Sequence, residues 1–159
     1  VRGVGDAVLA AADLVAVADE DADAATTERD AQERAELLKT LGADDSGRLP
    51  PALRAQVRQL EEDQKRRATR AKRDVLDRAI LDLMSLYRDV AAVQLGAHPG
   101  IGLVNIAHEN HVQELAARTT LAHTMQCLDA LSLARERLSA NVQPLLALEA
   151  MILALRPRQ

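Results

Sequence analysis

Between Pro51 and Leu95 the chain runs for about 45 residues without a further proline or glycine. At 1.5 Å per residue such a run predicts one continuous helix roughly 65 Å long, more than the diameter of a domain of this size. The residue supply agrees. Thirty alanines are present, Phe and Trp are absent, and Tyr87 is the only aromatic residue. Ala, Leu, Arg, Glu and Gln lose little rotamer freedom in a helix, whereas sheets depend on β-branched and aromatic side chains. The expected fold class is all-α: a bundle of about five helices with a long extended helical arm.

Punctuation divides the rest. Asp6 is the expected N-cap of a first helix carrying Val8, Leu9, Ala12, Leu14, Val15 and Ala16, whose apolar pattern fades at residues 19–23. A charged helical stretch resumes beyond Thr27 and stops at Gly42. A polar loop covers 43–49, and Pro50-Pro51 opens the long helix. Within that helix Leu53, Val57 and Leu60 form a short stripe, and residues 61–74 are polar nearly all round. A helix of that kind bridges packed bodies or meets a partner. From Val75 the apolar spacing tightens to threes and fours through Leu76, Ile80, Leu83, Tyr87 and Val90, which marks the core helix. Gly96 ends it, and 98–102 read as a loop. Three shorter helices follow: one capped by Asn105 and running to Ala117, one capped by Thr119 or Thr120, and one capped by Asn141 with Pro144 in its first turn. The expected division is an acidic arm, 1–74, leading into a basic junction, and a helical body, 75–159. A first residue of Val1 rather than Met reads as the start of a fragment whose preceding part holds any chemistry.

Charge is divided too, with its break at the start of the basic junction. The net charge of −4 combines −8 over residues 1–63 with +4 over 64–159, an asymmetry suited to charged partner surfaces. Cys127, the only cysteine, excludes a disulfide scaffold. No apolar run reaches the roughly 18 to 20 residues that span a bilayer, and no signal peptide is visible, so a cytoplasmic location is expected. The scarcity of aromatics argues against bases stacked on Phe or Tyr platforms.

Catalytic patterns are missing. No glycine-rich loop is followed by Lys and Ser/Thr, and Gly3-Val4-Gly5 and Gly100-Ile101-Gly102 read as turn glycines. His108 and His111 lie three apart with Glu114 a turn on, but helical zinc pairs lie four apart and need a third ligand, which His98 or His123 could supply only through folding. They read as solvated or partner-contacting. Cys127, between Met125 and Leu128, reads as a small buried hydrophobe, and Ser85, Ser132 and Ser139 lie within helical patterns with no obvious base nearby. No catalytic residue, metal ligand, cofactor or small-molecule substrate is expected.

The densest feature is Lys65, Arg66, Arg67, Arg70, Lys72 and Arg73, six cations in nine positions. Like charges at helical spacing cost a few tenths of a kcal/mol per pair, so compensation is expected. Three sources stand open. Glu61, Glu62, Asp63, Asp74 and Asp77 could form intrahelical pairs; an acidic protein surface, the chain's own first arm included, could cover the cluster; or nucleic-acid phosphates could, through non-specific, salt-dependent contact.

Two segments, LDRAILDLMSLYRDV (76–90) and ANVQPLLALEAM (140–151), resemble the C-terminal helical domain of the delta-prime subunit of the bacterial DNA polymerase III clamp loader. The acidic arm, the Lys/Arg-rich junction and the alanine bias look most like actinobacterial members. The resemblance spans almost the whole chain and implies a non-catalytic collar domain. In that family five such domains form a ring below which AAA+ domains handle nucleotide, sliding clamp and primed DNA. The arginine finger and any zinc site of the family lie in the AAA+ region, which this chain lacks, so no catalytic residue carries over. The implied partners are the ATPase subunit and delta in a hetero-pentamer. Leu86, Tyr87, Arg88, Asn141, Pro144, Leu148 and Ile152 fall in the collar body as packing or interface candidates. The long arm, 19–74, departs from shorter bacterial members.

Overall fold

The computed structural model describes residues 4–40 and 51–156. Among them are six α-helices, one 3-10 turn and no strand: α1 (Val4–Thr40), α2 (Pro51–Gln94), α3 (His98–Ile101), a 3-10 turn (Ile106–His108), α4 (Glu109–Arg118), α5 (Leu121–Ser139) and α6 (Pro144–Ala154). The all-α class is as the composition predicts. The expected stop at Gly42, the 43–49 loop and Pro50 lie outside the described residues. No helix among them is long and apolar enough to cross a membrane.

Helix α2 runs unbroken for 44 residues and opens on Pro51, where a missing amide costs nothing. It ends where Gly96 takes φ +65° and its N–H donates to the Val93 carbonyl, a conformation only glycine adopts freely. Helix α1 is also continuous over 37 residues. The fading apolar pattern at 19–23 does not interrupt it, because Ala18 and Ala22 are buried there and no Pro or Gly intervenes. Asp6 is not its cap: the helix starts at Val4, and Asp6 sits in the first turn, where a carboxylate still favours the helix dipole.

Two compact units divide the chain, one formed by residues up to Val15 together with Leu76 onward, the other by Ala16–Val75. The first therefore includes the start of α1, which the sequence reading assigns to the arm. Its core contains Ala7, Ala11, Leu76, Ile80, Val90, Val112, Leu131, Leu138, Leu148 and Met151, with Cys127 and two polar residues, Asp89 and Thr124. Leucine-sized side chains buried to this degree contribute about 1.5 to 3 kcal/mol each. The second unit is an antiparallel hairpin, since its ion pairs join higher positions of α1 to lower ones of α2. Its buried apolar residues are small, Ala18, Ala22 and Val57.

Local punctuation in the first unit departs from expectation at three points. The 98–102 segment holds one helical turn, α3, started by Pro99. Asn105 precedes the 3-10 turn without capping it through its side chain, which is engaged elsewhere, and α4 begins only at Glu109. Asn141 does not cap α6. It adopts φ +63° and closes α5, its own N–H donating to Leu138 and that of Val142 to Arg137, the paired bonds of a left-handed C-terminal stop. Gln143 precedes α6, and Pro144 occupies its first turn. Thr120 caps α5 as the sequence predicts, its hydroxyl accepting from the His123 N–H at 3.2 Å.

Candidate functional site

The basic cluster on α2 is divided by the hairpin. Arg67 turns toward α1 and donates to Asp30 and to both oxygens of Glu33, with Nη1 to Oε1 at 3.0 Å. Lys72 donates to Asp19 at 2.7 Å. Arg34 of α1 returns the pattern with Glu61 at 2.6 Å, and the Gln64 amide reaches the Asp30 carbonyl at 2.9 Å. Charge-assisted, partly bidentate contacts of this kind are the stronger class of hydrogen bond. The Arg67 guanidinium, helped by Arg29, holds the Glu33 carboxyl down at about 2 against a smaller upward push from burial.

Of the remaining cations, Lys65, Arg66 and Arg70 stay on the solvent side. Arg66 takes Asp63 of its own helix at 2.7 Å, and its hydrogen bond, with that from Gln59, lowers the Asp63 pKa. Lys65 and Arg70 are exposed without a partner among the described residues, and Arg73 is half-buried with an unbonded Nε. Of the acids expected to offset the cluster, Asp77 instead takes Arg135, at 2.6 and 3.0 Å.

A second constellation, invisible at helical spacing, centres on Asp89. This residue is fully buried. Its carboxylate accepts the backbone N–H groups of Val104 (3.1 Å) and Asn105 (2.7 Å), the Asn105 side-chain amide (2.9 Å) and Arg88 Nη1 (2.6 Å). Burial pushes its pKa up. The Asn105 and Val104 amides, with Arg88 and the Asn105 side chain, outweigh that and bring it down to about 2. Arg88 also donates to the Gly102 carbonyl at 2.9 Å, and Asn105 donates to the Ser85 hydroxyl at 3.1 Å. The loop after α3 is thus pinned to α2. The sequence signal is an aspartate directly beside Val90 inside an apolar stripe, since a buried charge requires partners.

In and around this pinned loop four apolar residues face solvent: Leu95, Ile101, Val104 and Ile106, at 63%, 58%, 65% and 71% exposure. Nothing at helical spacing singles them out, because they lie in short turns and connections rather than on one long helix. Of the expected collar residues, Leu148 is buried core, Leu86, Pro144 and Ile152 are half-buried, and Asn141 is exposed. Tyr87 is half-buried beside Cys127, and burial, then the neighbouring thiol, pushes its pKa up to about 12. Cys127 is fully buried; burial raises its thiol pKa against a smaller lowering by Tyr87, and its Sγ lies 3.4 Å from His123 Nε2. An uncharged thiol is a weak nucleophile. His108 and His111 meet edge to face, ring centroids 6.4 Å apart, both exposed. Among the described residues no three His, Cys, Asp or Glu side chains are grouped to hold a metal ion.

Comparison with protein families, with curated proteins and with solved structures gave no match.

Proposed function

We propose that this chain is a non-catalytic assembly module: the collar domain of a clamp-loader delta-prime subunit, which holds AAA+ subunits together in the cytoplasm so that the complex can load a sliding clamp on primed DNA. The observation that carries the reading is the apolar display on the 95–106 segment. Leu95, Ile101, Val104 and Ile106 are exposed, and Asp89 and Arg88 fix the 102–105 backbone among them to α2. Exposed apolar groups carried by one short segment offer an interaction surface, and rigid backing lowers the ordering cost of binding. The likeness of 76–90 and 140–151 to the collar family supplies the identity of the partners. A tethered array of this kind acts by raising the effective concentration of neighbouring motor subunits.

The test is size-exclusion chromatography of the full chain with a clamp-loader ATPase subunit at micromolar concentration. Co-elution is expected, and replacing Ile101, Val104 and Ile106 by Ser abolishes it. Separate elution of the unaltered chain refutes the proposal.

A further inference from the structure

Apart from assembly, the chain presents a second surface whose chemistry points to a different ligand. On α2, Arg54, Arg58, Arg66 and Arg70 recur at multiples of four residues, and Lys65 lies beside Arg66. All five are exposed. Positions four apart on a helix form one ridge, which here climbs about 24 Å at 1.5 Å per residue while winding roughly 160° around the axis. The hairpin gives the ridge its orientation. Val57, Glu61, Gln64 and Arg67 face α1, by burial or by hydrogen bonding, so Arg66 lies opposite α1, with Arg58 and Arg70 on its two flanks and Arg54 and Lys65 nearer the α1 side. Arg67 and Lys72, the two cations of the cluster that α1 neutralises, are not part of it. Three consecutive exposed acids intrude: Glu61, held by Arg34, Glu62, which interrupts the four-residue series, and Asp63, held by Arg66.

Composition decides between occupants. Protein–protein interfaces centre on apolar or aromatic anchors and are depleted of charge at their core. Between Arg54 and Arg70 the exposed positions hold Arg, Lys, Gln, Glu, Asp and Thr, with Ala55 the sole apolar one. The exposed large apolar side chains of the described residues lie outside this stretch. Nucleic-acid interfaces are polar and strongly positive, and guanidinium groups bind phosphate oxygens bidentately. A duplex presents one negative charge per about 1.7 Å of axis, so a ridge of this length faces many phosphates. No aromatic platform or base-reading motif accompanies it.

We propose that the solvent face of α2 from Arg54 to Arg70 binds the phosphate backbone of duplex nucleic acid without regard to sequence. This contact is independent of the apolar 95–106 segment, so it stands or falls apart from the assembly role.

Fluorescence anisotropy of a labelled DNA duplex of about 20 base pairs, titrated with the full chain over a series of salt concentrations, tests it. The unaltered chain binds at about 50 mM salt with an affinity that falls steeply as salt rises. R58E/R70E weakens binding at least about tenfold and lowers the slope of log affinity on log salt by about 2, one contact per residue. Neither residue has a partner among the described residues, so circular dichroism should show an unchanged fold, and the neutral pair R58Q/R70Q acts in the same direction with a smaller loss. R78E/R118E, an equal change of charge at exposed positions of the other unit, alters affinity less than about twofold. Equal weakening by both reversed pairs would reduce the effect to net charge and overturn the proposal. So would an R58E/R70E protein that binds as before, or an unaltered chain that ignores the duplex but holds polyglutamate, which would assign the ridge to an acidic protein.

Discussion

Asp89 is the side chain on which most depends. A buried carboxylate is tolerable only when donors surround it, and here two backbone amides, an asparagine and an arginine do so. Its pKa in the folded chain, about 2, lies below the ordinary aspartate value of 3.8. The stabilisation it brings is therefore complete above about pH 4 and is lost as pH falls toward 2, a difference of about 2 kcal/mol. Asp89→Asn turns an amide N–H₂ toward N–H donors. The expected cost is about 2 to 4 kcal/mol at neutral pH, and the variant should lack the part of acid destabilisation that Asp89 supplies. Urea unfolding of both proteins from pH 2 to 7 measures it; parallel curves with no loss at neutral pH would show that the carboxylate does not pin the loop.

At the level of elements, α1 buries alanines where a bundle helix ordinarily buries leucines: Ala7 and Ala11 in one unit, Ala18 and Ala22 in the other. The larger apolar residues Leu9 and Val17 are exposed. Ala18 and Ala22 are almost wholly covered, so a larger side chain at either place must displace its neighbours. Ala22→Leu should destabilise the hairpin by about 1 to 3 kcal/mol despite its greater hydrophobicity, read as a lowered melting temperature; a raised one would mean that the face has space. This inversion explains what the sequence did and did not disclose. Helix α2 was legible from its freedom from Pro and Gly, and its core half from the spacing of Leu76, Ile80 and Val90. In α1, apolar spacing weights Leu and Val, of which this helix exposes Val8, Leu9 and Val17, and so reads a fade at 19–23 where the helix continues on buried alanine. Asn105 and Asn141 have the chemistry of N-caps, but tertiary context uses one to hold Asp89 and the other to end α5. The basic cluster was visible as composition. Its separation into Arg67 and Lys72 facing α1 and an outer ridge depends on a partner helix some 35 to 50 residues away in sequence, which no local pattern encodes.

For the molecule as a whole, the two units have separate interiors of different kinds, one lined with leucine and methionine, the other with alanine and paired charges. Opening of one should then register weakly in the other. Leu131→Ala, in the first unit, is expected to cost about 2 to 5 kcal/mol and to remove amide protection there, while amides of 20–36 and 57–70 keep more of theirs. Hydrogen exchange with mass spectrometry reports both, and equal loss throughout would show one cooperative body. The ionic ladder of the hairpin has a further consequence. Alanine faces are nearly featureless and distinguish poorly between neighbouring alignments. Arg67 meets Asp30 and Glu33 in the native alignment; sliding by one turn would set it against Arg34 in one direction and Arg29 in the other. Misaligned hairpins thus incur repulsion either way, and the charges serve as a vernier that selects a single position along an otherwise slippery track.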